Sequence, residues 1–421
     1  MSLSRERIRP IGRKDSPLVR ASQRIGVPPY AFVALLFGVI LRLTVIFGSP
    51  VRIDQTGTPP AYNDEYGHLK HIQYSAQQEG IPTFNESVHA PDALLRGDYE
   101  MWQPPLYYEI AAPLYRLTPT DLQKPILLRL LSLLFWGVAL LTLLRALPDS
   151  DTRGPIILAD TLLGISMIHA ATVNNDSLFM LTASGLYLLA ARTAFVRLDW
   201  KSWGVLVLVS AAAIYTKFSS MPLMVMVGVV AAVGTPGTWK QKTLITALTG
   251  ATILLLTLSL WMLRYKTFGM FIGSAELNAF SPDLSLRELA SSFLYSLQSP
   301  WHEYWGRFWV KAGTLLFLIT SLVSLVWLFL NWDRFRAATM RLELDRVLLI
   351  WSAGAGMTLL GFLYYGLTTD QTDPRFLLGA GPVLALLLGA PLWVLPQKKA
   401  WVIGWGMVLL LVLPHLSWLG R

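Results

Sequence analysis

Four polar stretches stand out against a chain that is otherwise almost entirely apolar. The first is AYNDEYGHLKHIQY at 61–74, where the adjacent carboxylates Asp64 and Glu65 are followed closely by Tyr66 and His68. A carboxylate works as a general base when it stands within about 3 Å of the proton it takes. That chemistry suits a hydroxyl acceptor attacking a carbon that bears a phosphate leaving group, because the oxygen becomes a better nucleophile as its proton departs. Asp64 is the preferred base. Glu65 orients it, contacts the acceptor or sustains the local field, and the two roles are exchangeable. The structural alternative is that both acids simply accept the free amide hydrogens at a helix start.

Glu65, His68 and His71 follow one another at three-residue spacing, so a helix gathers them on one face. They form a weak metal set: the HExxH arrangement and a further ligand are both missing. A divalent ion is therefore allowed but not required, and structural or acceptor-contact roles compete with ligation. The second stretch is WQPPLYY at 102–108, whose prolines begin a short helix rigidly. That is either all they do, or they fix a cavity wall on which Gln103, Tyr107 or Tyr108 presents a polar edge.

The third stretch is NNDS at 174–177, with Asp176 either solvated in a short loop or a secondary site residue at the membrane surface. Lys217, in AAAIYTKFSS, is either a snorkelling interface residue or a positive contact for a lipid phosphate. The fourth stretch is TTDQTDPRFLLGAGP at 368–382, where Arg375 immediately precedes an apolar run. A boundary arginine often only snorkels, but a guanidinium can also fork onto a phosphate and balance charge as that group leaves. Arg129, in PILLRLLSLL, is a further candidate for this role, with packing or positioning as its plain alternative.

The elements that must hold these side chains are membrane helices. The chain has 421 residues, 53% hydrophobic and only 14% charged, against about 25% charged in a soluble domain. A chain this long and apolar would expose greasy surface unless lipid covered it. Apolar runs of spanning length recur at 28–48, 126–146, 155–172, 177–194, 202–216, 218–234, 243–263, 309–330, 347–366, 376–395 and 401–418. The pair 202–216 and 218–234 has the look of broken or tilted helices.

Seven basic residues from Arg5 to Arg24 precede the first run, which places the amino terminus in the cytoplasm and makes that run a retained anchor. With this parity the short basic loops share the cytoplasmic side, and the carboxyl end lies outside. The loops 49–125 and 264–308 then face out, the first of them acidic. Within it 104–117 is apolar but short for a crossing, and reads as a juxtamembrane or re-entrant helix. The expected organisation is a basic segment 1–27, one all-α membrane domain 28–418 and a tail 419–421. In the outer loop 264–308, Glu276, Asp283, Trp301, His302 and Glu303 are possible contacts whose spacing does not favour binding over folding.

Trp, Tyr and Phe make up 12% of the chain, and interfacial anchoring explains many of them. The absence of cysteine removes disulfides, thiolate nucleophiles and sulfur-ligated zinc. No aromatic-interleaved basic motif points to nucleic acid, and no nucleotide-binding glycine loop is present.

In their order along the chain these motifs resemble the GT-C class of polytopic membrane glycosyltransferases, in particular bacterial relatives of protein O-mannosyltransferases and the aminoarabinose lipid A transferases. NDEYGH at 63–68 resembles the first-loop acidic motif, with Asp64 in the place of the usual catalytic base. QPPLYY at 103–108 is similar to the HPPL-type segment, with Gln103 replacing the common histidine. LLRLLSLL at 127–134, NNDS with its following span, IYTKFSSMPLM at 214–224 and DPRFLLGAGPVLALLLG at 373–389 resemble the later segments.

The resemblance implies a GT-C-like fold of about eleven spans with juxtamembrane helices in a large first external loop. It further implies an inverting transferase in a bacterial cell membrane, with its site facing the periplasm or exterior. The donor would be a polyprenyl-phosphate-linked sugar, and the acceptor an external hydroxyl-bearing glycan, lipid or protein. Asp64 would activate that acceptor, while Arg375, with Lys217 or Arg129, would stabilise the lipid phosphate. His68, Gln103, Tyr107 and Asp176 would line the site. The competing function is a transporter, which calls for internal repeats and broken helices at the midplane; no persuasive pair of repeats is present.

Overall fold

The computed structural model describes residues 17–48, 65–77, 103–120, 123–162, 169–268, 315, 319–369 and 374–416. Among these the ordered elements are all helical. They are α1 Pro17–Ile25, α2 Pro29–Gly48, α3 Glu65–Ala76, α4 Leu106–Leu117, α5 Gln123–Arg145, α6 Ser150–Leu162, α7 Asp176–Thr193 and α8 Trp200–Thr216. Then follow α9 Leu223–Gly234, α10 Trp239–Phe268, α11 Ile319–Leu330, α12 Trp332–Arg341, α13 Leu344–Thr369, α14 Gly381–Leu388, α15 Ala390–Val394 and α16 Gln397–Leu416.

Helices α2, α5, α10 and α13 are each long and apolar enough to cross a bilayer. Leu36, Ile40 and Phe47 on α2, and Leu248, Leu254 and Leu255 on α10, are left exposed. A helix bonds its own backbone, so such side chains can face hydrocarbon without stranding polar groups. The chain is an all-α membrane protein.

The entry to the bundle is set locally. Helix α1 ends where Gly26 takes φ 73°, a left-handed conformation that glycine adopts without strain. The amide of Val27 returns to Ser22 O at 3.0 Å, and Arg153 Nη1 donates to Gly26 O at 3.0 Å, tying this turn to α6. Pro29 then starts α2, where a missing amide hydrogen leaves nothing unpaired.

Helix α7 is the hub, packing on α5, α8, α9 and α13. Helices α3 and α4 pack on each other, and α4 rests on α5. At 12 residues each they reach about 18 Å, short of a hydrocarbon core of about 30 Å. The expected non-spanning helix at 104–117 is thus α4. The apolar run 202–234 is broken as its sequence suggested: α8 stops at Thr216, Lys217 is extended with φ −160° and ψ 134°, and a 3-10 turn at Phe218–Ser220 leads into α9.

The expected spans 155–172, 309–330 and 401–418 lie partly outside the described residues. Among those described throughout, 376–395 is not one helix. Residues 376–395 form a 3-10 turn at Pro374–Leu377 and then two short helices, α14 and α15, which meet at Gly389. Pro391 has no amide hydrogen and its ring crowds the carbonyl four residues back, which favours a kink or break; it stands in the first turn of α15. The break is also packed: a Cβ on Gly389 would lie 2.7 Å from both Ala385 O and Pro155 Cγ.

Candidate functional site

The polar stretches meet where α2 and α8 end and where α3, α5 and α7 begin. Glu65 is the first residue of α3 and is 3% exposed, while Arg129, in the second turn of α5, is fully buried. The guanidinium forks onto the carboxylate, Nε to Oε1 at 2.8 Å and Nη2 to Oε2 at 2.7 Å. A third donor, Nη1, reaches Ile46 O on α2 at 3.3 Å. Glu65 Oε1 also accepts the amide of Val173 at 2.8 Å. One carboxylate therefore ties α3 to α5 and to the strip 169–176, and its partner carries the tie on to α2. Two charges survive such burial because the geometry is two-pronged and a further donor satisfies the acid.

Glu65 is therefore held in place, and Arg129 directs its guanidinium at it. Asp64 lies outside the described residues and is covalently adjacent to this anchored position. Glu276, Asp283, Trp301, His302 and Glu303 also lie outside them.

One turn along α3, His68 Nδ1 shares a 2.7 Å hydrogen bond with Tyr108 OH. The ring of His71 stacks on Tyr108 with centroids 3.5 Å apart. Tyr107 OH meets Ser132 Oγ at 3.3 Å, and both tyrosines are fully buried. Pro104 and Pro105 lead into α4 just before them. The weak metal set Glu65, His68 and His71 thus engages Arg129 and Tyr108. Among the described residues no group of three or more histidines and acids is placed to hold a metal ion.

The second polar group is built on the start of α7. Asp176 is fully buried, and Lys217 Nζ donates to its Oδ1. His169 Nδ1 stands 3.4 Å from its other oxygen, and Arg375 acts on it electrostatically from the Pro374–Leu377 turn. Lys217 reaches Asp176 from the extended position that ends α8.

The neighbouring asparagines lock the strip. Asn174 Oδ1 accepts the amides of Asp176 at 2.9 Å and Ser177 at 3.3 Å, satisfying two free donors of α7. Asn175 Nδ2 donates to Gln103 Oε1 and to Thr216 O, each at 3.1 Å. The Gln103–Asn175–Thr216 bonds therefore lie one residue along the chain from the Asp176–Lys217 pair on both sides. Val173, which holds Glu65, stands only three residues before Asp176, so strip 169–176 bridges both polar groups. Asp176 thus gathers Lys217 and His169 around it, with Arg375 acting from the Pro374–Leu377 turn, groups of the sign that attracts an anion.

His169 and Arg264 carried no motif. His169 meets Asp176, seven residues further along the strip, at a spacing that marks no site. Arg264 is buried at 3% exposure with its guanidinium 4.1 Å from the Phe218 ring, one residue from Lys217. Arg42 did carry a signal, as an ionised side chain inside an apolar run. It is fully buried, donates to Asp160 O at 2.8 Å and to Thr161 O and Gly38 O at 3.1 Å, and lies 3.9 Å from the Trp136 ring.

No family model matches the sequence, and no curated protein matches it significantly. Two solved structures do match the fold, both of ArnT from Cupriavidus metallidurans, at 16% identity. The apo structure has a TM-score of 0.53 and covers 89% of this chain. The structure bound to undecaprenyl phosphate has a TM-score of 0.50 and covers 88%. The match takes in 62% of the ArnT chain, so this protein spans less than two thirds of that length.

Proposed function

We propose that this chain, a membrane protein of GT-C fold, is an inverting glycosyltransferase that takes a sugar from a polyprenyl-phosphate-linked donor. Its acceptor is a hydroxyl-bearing glycan, lipid or protein outside the cell, and the protein resides in a bacterial inner membrane with its amino terminus in the cytoplasm. The observation that carries the reading is the bridge made by strip 169–176. It joins the anchored Glu65, next to Asp64, to the cation-rich surroundings of Asp176 in a fold shared with a protein solved in complex with undecaprenyl phosphate.

In this mechanism Asp64 takes the acceptor's hydroxyl proton as its oxygen attacks the anomeric carbon. The bond from that carbon to the phosphate oxygen breaks, its electron pair stays on the phosphate, and polyprenyl phosphate leaves. The leaving group gains a unit of negative charge, which Lys217 and Arg375 offset. Asp176 keeps the Lys217 ammonium turned inward. Glu65 and Arg129 fix the start of α3 and hence the direction from which Asp64 approaches, while His68, Gln103 and Tyr107 shape the wall. The lipid tail stays in hydrocarbon while its head meets these polar groups, which avoids exposing the tail to water.

The test supplies labelled polyprenyl-phosphate sugars and candidate acceptors to purified protein and follows both transferred sugar and released polyprenyl phosphate. The reading expects both products in equal amounts from the wild type, and both strongly lowered together in Asp64→Asn with donor binding intact. Full activity in Asp64→Asn sinks the base assignment. Sugar release without transfer to any hydroxyl acceptor counts against the reaction itself.

A further inference from the structure

We infer that Tyr187 is a positioning residue for Arg375, holding the strip that carries this cation against the helix that carries Asp176. The inference rests on the proposed phosphate-binding role of Arg375. Arg375 belongs to a 3-10 turn, Pro374–Leu377, continued by Leu378 N to Arg375 O at 3.2 Å, Ala380 N to Leu377 O at 2.8 Å and Gly381 N to Leu378 O at 3.3 Å. Such short i to i+3 turns have poor hydrogen-bond geometry and little stiffness of their own. The strip therefore takes its place from what it touches.

The turn packs on α13, and beyond it Gly379 meets α7. The Tyr187 hydroxyl, fully buried, donates to Gly379 O, four residues after Arg375. Tyr187 is itself fixed: Trp351 packs edge-on against its ring at 4.7 Å and donates Nε1 to its carbonyl at 3.0 Å. The strip lies close on both sides, since a Cβ added to Gly379 would come 3.2 Å from Thr358 Oγ1 on α13 and 3.5 Å from Phe179 Cζ on α7. Helix α7 is an unbroken rod with most of its residues buried, so Tyr187 and Asp176 keep a constant separation along it. Fixing Gly379 to Tyr187 consequently sets the height of Arg375 relative to Asp176 and Lys217, the place where the phosphate is held.

A tyrosine that merely satisfies its hydroxyl in a buried setting would affect stability and leave ligand affinity alone. The two roles separate in a double-mutant cycle read by direct binding of undecaprenyl phosphate to the full chain in nanodiscs, with heat unfolding measured in parallel. Tyr187→Phe removes one oxygen and keeps the ring. It is expected to weaken binding about five- to tenfold, the equivalent of one hydrogen bond. Arg375→Ala is expected to weaken it more, and adding Tyr187→Phe to Arg375→Ala should change nothing further, because the residue being positioned is gone. Gly379→Ala, which crowds the strip against Thr358, should also weaken binding in the Arg375 protein and not in Arg375→Ala.

The inference is overturned if Tyr187→Phe binds as the wild type does while Arg375→Ala is weakened. It is equally overturned if the two substitutions weaken binding independently. If Arg375→Ala itself binds as tightly as the wild type, the phosphate role of Arg375 fails, and the reason for positioning it fails with it.

Discussion

Arg129→Met should be among the most damaging single changes in the chain. The side chain it removes is fully buried and makes two short bonds to Glu65 and one to Ile46 O, so the substitution strands a carboxylate that is 3% exposed. Val173 N–H still reaches that acid at 2.8 Å, but one neutral donor does not replace a guanidinium fork. Breaking a buried ion pair by removing one partner costs about 3–5 kcal/mol. Glu65→Gln alone should also destabilise the fold, since it takes the carboxylate fork away from a fully buried guanidinium. The double variant Glu65→Gln/Arg129→Met strands neither charge, and its glutamine can still accept the Val173 amide. It should therefore be about as stable as either single variant or better, with a coupling of at least about 2 kcal/mol in the cycle. The assay is unfolding of the purified protein in detergent, followed by tryptophan fluorescence, for all four proteins. An Arg129→Met protein that unfolds like the wild type, or a double variant whose loss equals the sum of the two singles, would refute this reasoning.

Asp64→Asn should lower transfer by about 10²- to 10⁴-fold, the usual worth of a general base, with donor affinity unchanged in a parallel binding measurement. Lys217→Met should weaken binding of undecaprenyl phosphate and also destabilise the fold, because Asp176 loses the donor at Oδ1. Lys217→Met/Asp176→Asn should regain stability without regaining affinity, as heat unfolding and lipid binding can separate. Gly38→Ala should cost about 1–3 kcal/mol by overpacking, since its Cβ would lie 2.8 Å from Thr161 Cβ and 3.0 Å from Thr161 O where α2 meets α6. Thermal unfolding of that variant checks it.

The membrane helices were legible because apolar runs of spanning length have few other uses, and α2, α5, α10 and α13 follow them closely. The break at Lys217 was legible too, in the shortness of the runs on either side. The break at Gly389 escaped the sequence reading because hydropathy is blind to the backbone: Gly389 and Pro391 extend an apolar run across the place where one helix ends and the next begins. At the site, residue types pointed to Glu65, Gln103, Asp176 and Lys217, but their partners did not follow from them. Glu65 and Arg129 are 64 positions apart, and Asp176 and Lys217 are 41 apart. Only packing of α5, α7 and α8 brings them together. His169 was passed over because a lone histidine at the end of an apolar run carries no spacing to read. Arg42 lay in plain view inside the first span, yet its carbonyl partners on α6 exist only once the two helices touch at Gly38.

The most direct measurement is a cryo-EM structure of the protein with a polyprenyl-phosphate sugar bound. The account predicts the phosphate within hydrogen-bonding reach of Lys217 or Arg375, and the anomeric carbon turned toward the start of α3 and Asp64. A phosphate seated away from both cations, or a sugar at the opposite end of the bundle from Glu65, would contradict it.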